Sequence, residues 1–159
     1  DTFLKFNTNP TDKNLVTNLT IDVQKIKEDS LLEDFIITDY NKTQRSVNKL
    51  TKNEKSVLYF WNPEYIGKDY IAKRIQYFSE KYPNVKFIGV KIKGDYKDRI
   101  YKLDIKSQYY LEPTSKANTF LTSQIPRTIL INKKGIVVNS YASLSSRKIF
   151  KQIDDLAKN

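Results

Sequence analysis

The chain lacks cysteine, histidine and methionine, and it contains only four glycines and five prolines in 159 residues. Without cysteine it can form no disulfide, no thiolate metal site and no thiol nucleophile. Without histidine it lacks the usual general base and the commonest metal ligand. Catalysis of the Ser-His-Asp or Cys-His type is therefore excluded, and we expect no metal and no cofactor.

The remaining composition is that of a folded domain of ordinary size. Hydrophobic residues make up 39% and aromatic residues 13% of the chain, which distinguishes it from a disordered tail. No run of residues approaches the ~20 apolar positions of a membrane-spanning helix, so we expect a soluble domain. The absence of methionine at position 1 predicts a processed product from which a targeting signal has been removed.

The net charge of +10 is unevenly distributed. Residues 1–34 contain four lysines and seven acidic residues, so the rest of the chain is strongly basic. Between residues 127 and 151 there are six basic residues and no acidic residue: Arg127, Lys133, Lys134, Arg147, Lys148 and Lys151. Such a face either meets an anionic surface or keeps the protein soluble.

The first 30 residues are predicted to form a helical appendage to a domain that spans residues 31–159. Asn9-Pro10-Thr11 is a helix-start signal in which Thr11 is the expected N-cap. Apolar residues at helical spacing follow it, namely Leu15, Val16, Leu19, Val23 and Ile26.

The larger segment alternates between strand and helix patterns. Phe35–Asp39 and Ser56–Trp61 are predicted strands, and the second has the apolar content of a central strand buried on both faces. A helix is predicted from near Gly67 to just before Pro83, followed by a strand at Val85–Ile92. This strand–helix–strand unit predicts two parallel strands with a right-handed crossover.

The second half of the domain is predicted to end in a hairpin and a helix. A basic helix is expected within Asp95–Lys106 and a short helix within Ser115–Thr122. Two apolar runs around Lys133-Lys134-Gly135 predict a β-hairpin. The last helix is expected to begin near Ser145 or Ser146.

Three motifs in this order resemble the thioredoxin-like fold, in the branch of exported thiol-disulfide reductases and peroxiredoxin-like proteins. Glu33–Asp39 resembles the family's first strand, Val57–Trp61 the strand before the redox loop, and Ile125–Thr128 the cis-proline loop. The resemblance covers about residues 31–159 and implies an α/β, thioredoxin-like three-layer sandwich with a mixed central sheet and helices on both faces. The chain is most similar to cysteine-free members from the Bacteroidetes envelope.

The same resemblance implies that the redox centre has been replaced. In the family, Phe-Trp is followed by three residues and then by Cys-x-x-Cys at the start of a helix. After Phe60-Trp61, the first cysteine position is occupied here by Tyr65 and the second by Lys68. Neither side chain can form a mixed disulfide, and the chain has no cysteine or histidine, so we predict that the protein is not an enzyme.

By position, the peptide-binding surface of the family corresponds here to Trp61, Glu64, Tyr65, Ile66, Ile125 and Pro126. A cis Pro126 rests on the resemblance alone, because only about 5% of X-Pro bonds are cis. A cis bond would leave the Ile125 backbone open to pair with an extended segment. Trp61 either closes the core or faces a ligand, and Tyr65 either contacts a partner or fills the space of the lost cysteine.

The sequence therefore favours a non-catalytic binding or scaffold module that holds a protein or peptide partner in the cell envelope. The expected location is exported, periplasmic or membrane-anchored and facing the periplasm. One alternative is a basic domain that binds a polyanion, although no specific nucleic-acid motif is present. The other is an enzyme with non-thiol chemistry. The oligomeric state stays open.

Overall fold

The computed structural model describes residues 26–92, 98–119 and 127–159. Its elements are, in chain order, β1 (Ile36–Asp39), β2 (Gln44–Ser46), α1 (Val47–Leu50), β3 (Lys55–Trp61), α2 (Lys68–Lys81), β4 (Val85–Lys91), β5 (Gln108–Tyr110), β6 (Arg127–Ile131), β7 (Val137–Ala142) and α3 (Lys148–Lys158). Two 3₁₀ turns occupy Ile105–Ser107 and Lys116–Thr119. The strands form one seven-stranded sheet in the order β2-β1-β5-β4-β3-β6-β7.

The predicted strand–helix–strand unit is confirmed as β3-α2-β4 at the centre of this sheet. β3 pairs in parallel with β4 and antiparallel with β6, and β4 pairs in parallel with β5. All seven residues of β3 are buried. This follows from its position, because a central strand has a neighbour on each side and packed side chains on both faces.

Alternate residues of the central strands supply two separate cores. Leu58 and Phe60 of β3 face a cluster that also contains Val47 of α1. Tyr59 and Trp61 point to the other face, where α2 and α3 pack. Helices therefore cover both faces of a mixed sheet, and the predicted three-layer α/β architecture is confirmed.

The helix after β3 begins and ends where the sequence predicts. Gly67 is its N-cap in an extended conformation, and the helix stops at Lys81, two residues before Pro83. Ile71, Ile75 and Phe78 form its buried face. At the last helix, the Ser146 hydroxyl accepts a hydrogen bond from the Lys148 amide at 3.1 Å, which places the first turn slightly after the predicted start.

The predicted hairpin is formed by β6 and β7. Gly135 has a φ of 80°, a left-handed conformation that glycine adopts without steric cost. Asn132 orders the turn, because its Oδ1 accepts hydrogen bonds from the amides of Lys134 and Ile136, both at 3.0 Å.

The outer edge of β7 is covered by the segment that precedes β1. The Asp29 amide donates to the Val137 carbonyl at 2.8 Å, and the Val137 amide donates to the Ser30 carbonyl at 2.9 Å. Glu28 Oε1 accepts from the Ser140 amide at 3.3 Å. The buried side chain of Ile26 joins the same core as α1. The predicted helix before it, with its N-cap Thr11, lies outside the described residues.

The basic helix expected within Asp95–Lys106 is wrong over its described part, residues 98–106, where only a 3₁₀ turn begins. The carboxamide of the buried Gln108 takes the place of helical hydrogen bonds. Its Nε2 donates to the carbonyls of Ile100 and Leu103 at 2.8 and 3.0 Å, and its Oε1 accepts from the Ile100 amide at 2.8 Å. A side chain from the next strand thus satisfies this backbone without a helix.

Two further elements differ from the pattern. α1, which the sequence does not predict, is a single turn whose N-cap Ser46 accepts from the Lys49 amide at 3.3 Å. The short helix expected within Ser115–Thr122 is a 3₁₀ turn as far as it is described. No helix in the described ranges combines the length and the apolar content needed to cross a bilayer.

Candidate functional site

The loop between β3 and α2, residues 62–67, is ordered by one buried asparagine. The Asn62 carbonyl accepts hydrogen bonds from the amides of Tyr65 and Ile66 at 3.0 and 3.3 Å. Its side-chain Oδ1 accepts from the Glu64 amide at 2.9 Å. Asparagine followed by proline is a sequence that favours such a turn. The loop therefore has a defined shape before anything binds to it.

Trp61 lies in the core at the end of β3. It is only 2% exposed and packs in the same apolar cluster as Ile71 of α2. Of the two interpretations of this ring, the structure matches the one in which it closes the core. Its contribution to a surface is therefore indirect, through the position of the loop that follows it.

The next three candidate residues differ in exposure. Tyr65 is 63% exposed. Glu64 beside it is also exposed, whereas Ile66 is half-buried and packs against the core under α2. The loop thus presents one aromatic ring and one carboxylate to solvent and anchors itself through Ile66.

Ile125 and Pro126 lie outside the described residues, so the isomer of the Pro126 bond stays a prediction. The first described residue after them, Arg127, is buried in β6 and pairs with Phe60 of β3. Arg127 Nε donates to the Ser140 carbonyl at 2.9 Å, which joins the start of β6 to β7.

Lys68, the first residue of α2, forms an ion pair with Asp98. The backbone carbonyl of the same Asp98 accepts a hydrogen bond from the hydroxyl of Tyr40 at 2.9 Å. Burial of Tyr40, and then the negative charge of Asp98, raise the pKa of this phenol above its usual value. The first turn of α2 is therefore tied to the segment after β4 and to the end of β1.

Polar groups also lie beneath the loop, on the face of the sheet that α2 covers. Tyr59 is buried, and burial raises the pKa of its phenol. The Tyr59 hydroxyl has no hydrogen-bond partner within the described ranges. Lys91, buried at the end of β4, pairs in register with Trp61.

Sequence reasoning did not find Tyr40 and Asp98. One signal was available for Asp98, because the carboxyl ends of the parallel strands β3 and β4 lie at the same edge of the sheet. Residues that follow Lys91 are thus close to residues that follow Trp61. Nothing local to Tyr40 distinguishes it from the chain's ten other tyrosines.

The chemistry of the site is limited by its residue types. It contains no thiol, and no group of three acidic side chains in the described part of the chain is placed to hold a metal ion. It offers an exposed phenol, an exposed carboxylate and a partly exposed ion pair. These groups can make hydrogen bonds and apolar contacts, but they cannot exchange a disulfide, which requires a thiolate.

Comparison with known proteins finds no matching family model and no matching curated protein. Solved structures do match. The thioredoxin domain of a thiol-disulfide oxidoreductase from Bacteroides vulgatus is 18% identical, with a TM-score of 0.61 over 83% of this chain and 99% of that one. A thiol:disulfide interchange protein from a Bacteroides species is 17% identical, with a TM-score of 0.61 over 85% and 93% of the two chains.

A thioredoxin-like protein from Bacteroides caccae has a TM-score of 0.65 and 16% identity, over 96% of this chain and 58% of that one. At this level of identity the likeness concerns the fold. The order of the strands, the helix that follows the Phe-Trp loop and the structural similarity together lead to one conclusion. The chain has the thioredoxin-like fold, and it has it without a cysteine at any position.

Proposed function

We propose that this protein is a non-catalytic binding module that holds a polypeptide partner on the surface around Tyr65. The observation that carries the proposal is the contrast between Tyr65 and Lys68, the two residues that the resemblance aligns with the cysteines of the family. Tyr65 is mostly exposed on an ordered turn, whereas Lys68 is engaged by Asp98. An exposed tyrosine on a rigid support gives a large contact area at a small cost in conformational entropy.

The loop's internal hydrogen bonds support the same proposal. The amides of Glu64, Tyr65 and Ile66 are all bonded to Asn62, so binding would not have to order the loop. Tyrosine is also enriched among the residues that dominate protein interfaces. A partner with an apolar side chain would pack against the ring, and a donor would pair with Glu64.

We place this module in the cell envelope. The matched interchange protein and oxidoreductase domain come from Bacteroides, and protein disulfides form and persist mainly in oxidising, extracytoplasmic compartments. A fusion to alkaline phosphatase, which is active only after export, tests the location in the native host. Phosphatase activity is expected, and an inactive fusion that is present at full level contradicts it.

The binding proposal is tested by photo-crosslinking in the native cell. A photoreactive phenylalanine analogue is placed at position 65 and, as the control, at position 31. Leu31 is also exposed, but it lies beside Ile136, at the opposite end of the sheet from the loop. We expect discrete crosslinked species from position 65 alone. Crosslinks to the same species from both positions would contradict a site at the loop.

The partner found in this way is then measured with Tyr65→Ala, leaving the buried Trp61 in place. Loss of an interface anchor costs more than ~1 kcal/mol, so affinity should fall by at least about fivefold. An unchanged melting temperature is the control for folding. An affinity that Tyr65→Ala leaves unchanged but that falls steeply with rising salt concentration would instead favour the polyanion alternative. The net charge of +10 is the observation that supports this alternative.

A further inference from the structure

A second surface, separate from the loop, is formed where α2 and α3 lie side by side. Tyr70, Arg74, Tyr77 and Lys81 follow one another along α2 at helical spacing, and Phe150 of α3 lies beside them. The three rings are 38%, 45% and 37% exposed at Tyr70, Tyr77 and Phe150. These five residues are called the α2–α3 ridge.

The ridge is held together by contacts between its own side chains. The Arg74 guanidinium lies 4.9 Å from the ring centre of Phe150 and 5.4 Å from that of Tyr70. Its Nε donates to the Tyr70 hydroxyl at 3.1 Å. The rings of Tyr77 and Phe150 meet edge to face at 5.7 Å. Side chains fixed in this way lose little rotamer freedom when a partner binds.

The charge of the ridge is not neutralised by carboxylates. Neither Arg74 nor Lys81 forms an ion pair within the described ranges; the Lys81 ammonium lies 5.7 Å from the ring centre of Tyr77. Of the acids on the same two helices, Asp69 pairs with Lys102 at 3.1 Å and Asp154 with Lys158 at 2.7 Å, although the charge of Asp154 also reaches Lys81. The ridge therefore presents positive charge and apolar area together.

This combination indicates the chemistry of an occupant. Arginine and aromatic side chains are enriched in the centres of protein interfaces, and a positive patch selects a negative partner. Both cations of the ridge lie at the hydroxyl edge of a tyrosine ring, because Arg74 Nε is 3.1 Å from the Tyr70 hydroxyl and Lys81 Nζ is 3.4 Å from the Tyr77 hydroxyl. A carboxylate that approaches from solvent can pair with either cation there, so the patch favours an acidic polypeptide.

We propose that the α2–α3 ridge is a docking site for an acidic polypeptide segment. Carboxylates of the segment pair with Arg74 and Lys81, and an apolar side chain between them packs on Tyr77 and Phe150. The site is independent of the loop at Tyr65, so it does not rest on the function proposed above.

The test is a selection from random dodecapeptides displayed on phage, with the full chain immobilised. A parallel selection uses the variant Arg74→Gln, which keeps the helix but removes the charge. We expect peptides rich in aspartate and glutamate with at least one large apolar residue, and only with the unchanged chain. Peptides without acidic enrichment, the same peptides from both selections, or no enriched peptide would each overturn the proposal.

The most enriched peptide is then synthesised with a fluorescent label and titrated by anisotropy. Arg74→Gln should weaken its binding by at least about fivefold, the effect of losing an interface anchor worth ~1 kcal/mol. The matched control Lys133→Gln removes an exposed lysine in the β6–β7 turn and should change affinity less than about twofold. Equal effects of the two variants would reduce the interaction to net charge and overturn the assigned site.

Two further arms separate this proposal from its competitors. Tyr65→Ala should leave the affinity for the peptide unchanged, whether or not the loop is itself a binding site. A single-stranded thymidine oligonucleotide should fail to displace the peptide at physiological salt. Displacement by the oligonucleotide at equal concentration would assign the ridge to nucleic acid instead.

Discussion

Gly89 of β4 faces the phenol ring of Tyr59 in the neighbouring strand, and this contact allows a quantitative test of the core beneath the candidate site. A Cβ atom added at Gly89 would lie 2.5 Å from both Cζ and the hydroxyl oxygen of Tyr59, and 2.7 Å from Cε2. Carbon atoms in favourable contact are about 3.5–4.0 Å apart. The ring would therefore have to move by about 1 Å in a fully packed interior.

The expected cost of Gly89→Ala follows from two opposing terms. Overpacking of a core costs about 1–3 kcal/mol. Replacing glycine by alanine stabilises by about 0.4–1 kcal/mol through the unfolded chain, where the native backbone accepts alanine. Gly89 is not among the residues with positive φ, so this second term applies. The two ranges together give a net loss between about 0 and 2.6 kcal/mol in the free energy of unfolding, with a midpoint of roughly 1.3 kcal/mol.

A double-mutant cycle with Tyr59→Leu isolates the contact. Leucine lacks the three atoms nearest to the added Cβ, so Gly89→Ala should be neutral or slightly stabilising in that background. Tyr59→Phe keeps two of the three atoms and should leave the cost largely in place. Urea unfolding of the set gives the coupling energy, expected at about 2 kcal/mol. A coupling below about 0.5 kcal/mol would refute the steric argument.

Three further predictions concern the surface and the two positions that the resemblance aligns with the family's cysteines. Lys68→Met breaks a partly exposed ion pair with Asp98 and should lower stability by about 0.2–1 kcal/mol, less at high salt; an equal loss at all salt concentrations in thermal melts would contradict an ionic cause. Burial raises the pKa of Asp39, but two backbone amides and Arg45 lower it further, so the net pKa is below the usual 3.8. The stabilisation by the Asp39 carboxylate is then complete above pH 3.8 and is lost as pH falls through the folded-state pKa. Asp39→Asn should therefore be less stable than the wild type at neutral pH and equally stable in acid. A difference in the free energy of unfolding that stays constant with pH in urea melts would contradict this prediction. The double variant Tyr65→Cys, Lys68→Cys should form an intramolecular disulfide in air, which mass spectrometry detects as the loss of two hydrogens. A disulfide-linked dimer instead would argue against the alignment of these two positions with the cysteines of the family.

The sequence was informative where a local pattern alone determined the structure. The apolar run up to Trp61, the apolar spacing of the helix after Gly67 and the turn at Gly135 each act within a few residues. These features predicted the central strand β3, the helix α2 and the β6–β7 hairpin. The resemblance to thioredoxin-like proteins supplied the architecture that connects them.

The sequence was uninformative where a side chain far away along the chain determines the local structure. Gln108 binds the backbone of Ile100 and Leu103 and thereby replaces the helix that their apolar spacing indicates. The pair of Lys68 and Asp98 spans 30 residues. For Trp61 the pattern was compatible with both interpretations, and only the packing against α2 distinguishes them.

Strand β7 and the segment Asp29–Leu32 lie side by side, although more than a hundred residues separate them along the chain. An unpaired strand edge is a template for association with other chains, and this segment covers the edge of β7. During synthesis this segment is made before strand β7, so the edge of β7 can be covered only after most of the domain has been made. Removing residues 1–30, at the boundary that the sequence predicts, would remove half of the covering segment Asp29–Leu32. The shortened protein would keep its central strands but would tend to associate edge to edge.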